Sequence, residues 1–255
     1  MSAALPDHPD PPTDPWAGLR EFTAARIALG RTGTSVPLRE ALAFRLAHAH
    51  ARDAVYSVLE VGRLMQAAEE VGLPVCPVRS QAPTRPHYLR RPDLGRQLAP
   101  EARAPLQAVA GDYDVALVLA DGLSATATNE HAPPLLARLV PRLQQAGLCV
   151  APLVLAEQGR VALGDEVGEL LGARLVLVLL GERPGLSSPD SLGAYLTFAP
   201  RRGLTDEARN CVSNIRPAGL GYALAAEKLA FLVQESVRRK LSGVALKDTM
   251  GLLRE

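Results

Sequence analysis

The residues of this chain whose types invite chemistry are bunched in four polar stretches. Glu182 and Arg183 open GERPGLSSPDS, directly after the apolar run LVLVLL, and Asp121 and Ser124 stand in DGLSATA, after VALVLA. A third stretch, EQGRVALGDEVG, runs from Glu157 to Gly168 and contains Val161; a fourth, DEARNCVSNIRPAG, runs from Asp206 to Gly219 and contains Cys211. A turn needs only Gly or Pro chemistry, so the opposite charges of Glu182 and Arg183, locked by Pro184 and Gly185, point to a local ion pair or a ligand contact. Asp121 and Ser124 fit helix capping as well as they fit ligand binding. On pattern alone, a lone cysteine such as Cys211 reads as a small buried hydrophobe.

Spacing excludes several familiar chemistries. The chain has no G-x-x-x-x-G-K-[ST] phosphate loop, and Gly219-Leu220-Gly221 lacks the third glycine and the preceding strand of a dinucleotide fingerprint. His48 and His50 lie two apart on a predicted helix, which points them to different faces and makes them a poor metal pair. DGLSA is not a G-x-S-x-G elbow, and beyond His8 in the leader only His87, His131 and the helical pair offer themselves as bases. Cys76, Cys149 and Cys211 are odd in number and far apart, so they form neither a disulfide framework nor a Cys-x-x-Cys site.

The elements that must position the polar stretches follow from the apolar period. VALVLA (115–120), CVAPLVLA (149–156), LVLVLL (175–180) and AYLTFA (194–199) are continuous runs of the kind buried on both faces of a parallel sheet. HAPPLLARLVPRLQQAG lies between the first two as a helix kinked at Pro141, GDEVGELLGA between the second and third, and LGYALAAEKLAFLVQESVRRKL closes the chain. This alternation predicts an α/β fold with right-handed crossovers and a Rossmann-like, doubly wound, mainly parallel sheet. With all strands parallel, the four polar stretches would converge on one cleft beyond the carboxyl ends of the strands.

The N-terminal part has a helical period instead. WAGLREFTAARIALG is closed by Gly30 and Gly33, PLREALAFRLAHAHARDAVYSVLE opens at Pro37 with Ser35 as a candidate cap, and RLMQAAEEVG follows Gly62. Packing within the chain is the default expectation for these helices, with a subunit interface as the competitor. Residues from about 76 to 100 read as an ordered connector. The expected organisation is a disordered Pro-rich leader over 1–14, a helical region and connector over 15–100, and a Rossmann-like domain over 101–255.

Composition narrows the partners. Twenty-eight basic against 27 acidic residues leave a net charge of +1, so neither nucleic acid nor an anionic membrane is an expected partner. Lys228, Lys240 and Lys247 are the only lysines, a bias that fits a GC-rich genome better than an arginine-based recognition surface. The 255 residues are ample for a buried core. MSAALPDHPDPPTDP has no basic and apolar signal pattern, and no run approaches a membrane span. A reducing cytoplasm is the expected home, with packaging in a bacterial microcompartment left open.

At the polar stretches the sequence takes on a family likeness. LREFTAARIALGRTG (19–33), LAHAHARDAV (46–55), YLRRPDLGR (88–96), DGLSA (121–125), GRVALGDEVG (159–168), GERPGLSSPDSLGAYLT (181–197) and RNCVSNIRPAGLGY (209–222) resemble the small, or light, subunit of ethanolamine ammonia-lyase. The resemblance extends from about residue 16 to Asp248. It implies an adenosylcobalamin-dependent lyase that converts ethanolamine to acetaldehyde and ammonia. It also implies a large TIM-barrel subunit that holds the amino alcohol, with the cobalamin between the two subunits of a hetero-oligomer.

By the same resemblance, Val161 in GRV, Glu182 in GERPG and Cys211 in RNCVSN match cobalamin-contacting positions, which displaces the pattern-based reading of Cys211. No residue here is then catalytic, and none ligates metal: the chain lacks the Asp-x-His-x-x-Gly motif that supplies a protein histidine to cobalt, so the cofactor is expected to keep its own base. The expected lyase is inactive without its large subunit. Two readings from other classes compete, a free-standing α/β transferase and a non-catalytic assembly subunit. The missing nucleophile–base pair weighs against the first and the polar strand-end loops against the second.

Overall fold

A computed structural model describes residues 14–250. After a 3-10 turn at Ala17–Phe22, the helices are α1 (Leu38–Tyr56), α2 (Val61–Glu70), α3 (Arg85–Arg90), α4 (Pro100–Ala108), α5 (Ala125–Gln145), α6 (Leu163–Leu171) and α7 (Tyr222–Arg239). The strands are β1 (Val75–Arg79), β2 (Tyr113–Ala120), β3 (Leu153–Glu157), β4 (Ala173–Gly181), β5 (Leu192–Phe198) and β6 (Arg209–Ile215). They form one six-stranded sheet in the order β1-β3-β2-β4-β5-β6.

Four strands behave as their sequence pattern demands. β1, β3, β2 and β4 are mutually parallel, and alternate residues of β2 and β4 are buried against helices on opposite faces. Leu117, Leu119, Leu177 and Leu179 meet α2, α5 and α7 on one side, while Ala116, Val118, Val176 and Val178 meet α4 and α6 on the other. Each fully buried Val or Leu contributes about 1.5–3 kcal/mol, so these two rows fix the register. From β2 the chain crosses to β3 through α5 on one face; from β3 it crosses back past β2 to β4 through α6 on the other. Reversing both direction and face preserves the hand of the crossover.

The expected doubly wound, mainly parallel sheet is corrected at its other edge. β5 runs antiparallel to β4, and β6 antiparallel to β5, so the sheet is mixed. Only the ten residues 182–191 separate β4 from β5, and a parallel return needs a crossover of roughly a dozen or more. β1 comes from the segment read as a connector, and β6 from the segment read as a polar loop. β1 sits at the sheet edge, where Pro77 loses nothing by lacking an N–H.

The helical N-terminal part is present but looser than expected. The first predicted helix shrinks to the Ala17–Phe22 turn, α1 starts at Leu38 with no side-chain cap, and the Ser35 cap is not used. α2 packs inward through Leu64, Ala67 and Ala68. By contrast, α1 buries Ala54 alone, which corrects the default that it packs within the chain. α5 runs continuously through Pro133, Pro134 and Pro141, held against the sheet by Leu135, Leu136, Leu139, Val140 and Leu143, all fully buried. The predicted leader lies almost entirely outside the described residues. Among the described residues no helix is long and apolar enough to cross a membrane.

Candidate functional site

The loops after β2, β3 and β4 meet at the carboxyl edge of the sheet, where the chain from β2 turns to one face and the chain from β3 to the other. A buried carboxylate ties the first two together. Asp121 directly follows β2 and accepts from the backbone N–H of Gln158 and of Gly159, both at 3.0 Å, and from Arg85 Nη1 at 3.2 Å. Arg85, from α3, also donates to Gly122 O at 2.9 Å and to Val55 O at 2.7 Å, joining α1 to the same knot. Burial pushes the Asp121 carboxyl up to about 6, against the opposing pull of Arg85 and the two N–H groups. Asp121 is therefore neither a helix cap nor a free ligand group. Ser124 is the cap: its Oγ accepts from Ala127 N at 3.3 Å and donates to Pro189 O at 2.9 Å, tying α5 to the loop after β4.

The loop after β4 approaches too closely for any side chain on two backbone positions. Gly122 has φ +54, and a Cβ there would stand 2.2 Å from Gly181 O; a Cβ on Gly181 would stand 1.9 Å from Ser124 O. These contacts aim the next residue, Glu182. Its Oε2 accepts from Ser191 Oγ and from Asn214 N at 3.2 Å. Its Oε1 lies over Gly193, where a Cβ would be 3.0 Å away, and has no hydrogen-bond donor among the described residues. A carboxylate anchored through one oxygen with the other free is built to accept a hydrogen bond from outside the chain. Arg183 does not pair with it; it is exposed, with no carboxylate partner among the described residues.

Around Glu182 opens a cleft of about 450 Å³ whose lining includes Leu123, Arg160, Val161, Arg183 and Tyr195. Val161 reaches it from the loop after β3, half-buried against the core face shared by α4 and α6. Cys211 sits on β6 opposite Tyr195 of β5 and is exposed as a free thiol. Its surroundings nonetheless raise the thiol: desolvation pushes it up, Tyr195 pulls it down and the charge of Glu182 pushes it up again. A raised thiol stays protonated at neutral pH, which suits contact rather than nucleophilic or metal-binding work.

The three expected site residues are thus brought to one region, Val161 and Glu182 lining the cleft and Cys211 flanking it through Tyr195. Sequence reasoning missed Tyr195, Ser191 and Gly193, although a glycine inside a strand pattern is a signal of close approach. It also missed the Arg160–Tyr88 stack, in which the guanidinium carbon lies 4.4 Å from the ring centroid. Of the two roles open to Asp121 and Ser124, Ser124 takes the cap, and Asp121 ties the loops together.

These features define an α/β protein with a cleft at the switch point of its sheet and, among the described residues, no nucleophile–base pair lining it. A family model described as ethanolamine ammonia-lyase light chain (EutC) matches residues 13–247. The chain is 56% identical over 239 residues to the ethanolamine ammonia-lyase small subunit of Azotobacter vinelandii, covering 92% of this chain and 88% of that one. It is 55% identical to the small subunit of Ralstonia nicotianae over the same shares. Identity is 53% over 247 residues to that of Pseudomonas putida strain KT2440, covering 95% and 91%. The chain belongs to the ethanolamine ammonia-lyase small-subunit family.

Proposed function

We propose that the chain holds one side of an adenosylcobalamin against a large TIM-barrel subunit, which deaminates ethanolamine to acetaldehyde and ammonia, and that it is inactive alone. The observation that carries the reading is the free Oε1 of Glu182, preset at the mouth of the cleft by Ser191, Asn214 and Gly193. The amide-fringed rim of a corrin offers N–H donors to such an oxygen, and Val161 offers an apolar contact beside it. Cys211, an exposed and protonated thiol, would meet the same ligand. An open cleft of about 450 Å³ takes an edge or a side arm of a corrin rather than the whole disc. That is the share expected of a subunit forming one wall of a site completed by its partner.

When bound, adenosylcobalamin supplies the radical chemistry through homolysis of its cobalt–carbon bond, and the protein supplies orientation and electrostatics. The cofactor in this reading keeps its own dimethylbenzimidazole on cobalt. Residues 101–255 would carry the cofactor, with residues 15–100 meeting the large subunit. For that second role α1 offers Leu38, Leu42 and Leu46, all exposed along one stripe.

The test is reconstitution of the two subunits with adenosylcobalamin and ethanolamine. Acetaldehyde is expected from the complex and none from this chain alone; the reverse would sink the reading. In the complex, Glu182→Ala removes a charge-assisted hydrogen bond worth about 1.5–3 kcal/mol, so cobalamin affinity should fall roughly 10- to 100-fold with ethanolamine affinity little changed. Equilibrium dialysis with labelled cobalamin measures it, and unchanged retention would remove Glu182 from the site.

A further inference from the structure

A second groove of about 350 Å³ continues from the first: Arg160 and Val161 line both, and Arg96, Ala162, Thr205 and Arg209 complete the second together with Leu204 and Asp206. Its charges are unevenly matched. Arg209 is neutralised, its Nη1 and Nη2 lying 2.6 and 2.7 Å from the Asp165 carboxylate and its Nε 3.5 Å from Asp206. Arg96 and Arg160 have no carboxylate partner among the described residues. The groove therefore presents two unpaired guanidinium groups beside the position where Val161 meets the cofactor cleft.

Arg160 is also built into place. Its backbone N–H donates to Gly95 O at 2.7 Å, and its guanidinium lies on the buried ring of Tyr88. Gly95 is what admits this arrangement, since a Cβ there would come within 2.9 Å of Arg160 Cγ and 2.7 Å of the Tyr88 ring. Despite that investment, Arg160 Nε is buried with no hydrogen-bond acceptor. A fixed, planar, unneutralised guanidinium fork is matched by a tetrahedral oxyanion that can accept two parallel hydrogen bonds.

We propose that Arg96 and Arg160 seat a phosphodiester, and that this is the anionic linkage in the nucleotide arm of the cobalamin. The proposal rests on the cobalamin reading and deepens it by assigning the cofactor's one negative arm to the second groove. The neutral, amide-bearing corrin edge stays with Glu182 and Val161. This division separates two kinds of ligand: a complete cobalamin engages both grooves, whereas cobinamide, which lacks the nucleotide arm, engages the first alone.

Binding of cyanocobalamin and of dicyanocobinamide to the assembled two-subunit complex, measured by calorimetry at two salt concentrations, tests the assignment. Arg96→Ala, an exposed change, and Arg160→Lys, which keeps the stem and charge but loses the fork, should each weaken cyanocobalamin by about tenfold. Arg96→Ala should leave cobinamide unmoved and flatten the salt dependence of cyanocobalamin binding. Equal weakening of both corrinoids, unchanged cyanocobalamin affinity, or loss of subunit association in the variants would each overturn the seat. A wild-type complex that binds neither corrinoid would overturn the cobalamin reading itself, a failure distinct from that of the seat.

Discussion

At the scale of single residues, the site separates groups that hold the scaffold from groups left free. Asp121 belongs to the first kind, and its titration should be visible in stability. An acid raised to about 6 in the folded chain holds, between about pH 4 and 6, a proton that the unfolded chain has already released. Its contribution to stability is thus complete below about pH 4 and lost as pH rises through 6. A shift of about two units corresponds to roughly 3 kcal/mol. Urea unfolding from pH 4 to 7 should show this decline in the wild type and lack it in Asp121→Asn; parallel pH profiles would contradict the assignment. Composition made Asp121 look like a cap or a ligand group because both roles put an Asp after a strand, and only the fold shows three donors closing on it.

Elements explain why part of the site was legible in the sequence and part was not. β2, β3 and β4 announce themselves because a strand buried on both faces must be apolar throughout, and the loops that follow them hold Asp121, Val161 and Glu182. β1 and β6 lie at the two edges of the sheet, where one side meets solvent and polar residues or Pro77 are tolerated, so the apolar signal breaks. Cys211 was named without its strand, because β6 alternates inward Val212 with exposed Cys211 and Ser213. The antiparallel turn of β5 was readable from the short link after β4, since a helical crossover cannot be fitted there. That link hangs on backbone contact between Gly181 and Ser124, so Gly181→Ala should cost about 1–3 kcal/mol through overpacking and weaken cofactor retention by shifting Glu182. Thermal unfolding together with cobalamin binding in the complex would check it, and a neutral effect on both would mean that the junction can yield.

Across the whole molecule, apolar surface is spent unevenly. The sheet buries nearly all of its leucines, yet α1 leaves Leu38, Leu42 and Leu46 exposed at 73%, 52% and 58%, spaced by four on one helical face. Trp16, Phe22, Val36 and Val58, elsewhere in the N-terminal part, are exposed as well. An exposed apolar stripe of this kind suits an interaction surface, and the proposed large subunit is the partner that would cover it. Because these side chains bury little within the chain, Leu38→Glu, Leu42→Glu and Leu46→Glu together should change its own unfolding free energy by no more than about 0.5 kcal/mol per site. Covered by a partner, each leucine would contribute about 1.5–3 kcal/mol, so the triple variant should lose the complex at micromolar concentration while gaining solubility alone. Size-exclusion chromatography of the mixed subunits, read beside urea melts of the single chain, separates the two effects. Retained assembly with unchanged stability would turn the large subunit away from α1, and a large loss of stability would mean that the stripe serves the fold instead.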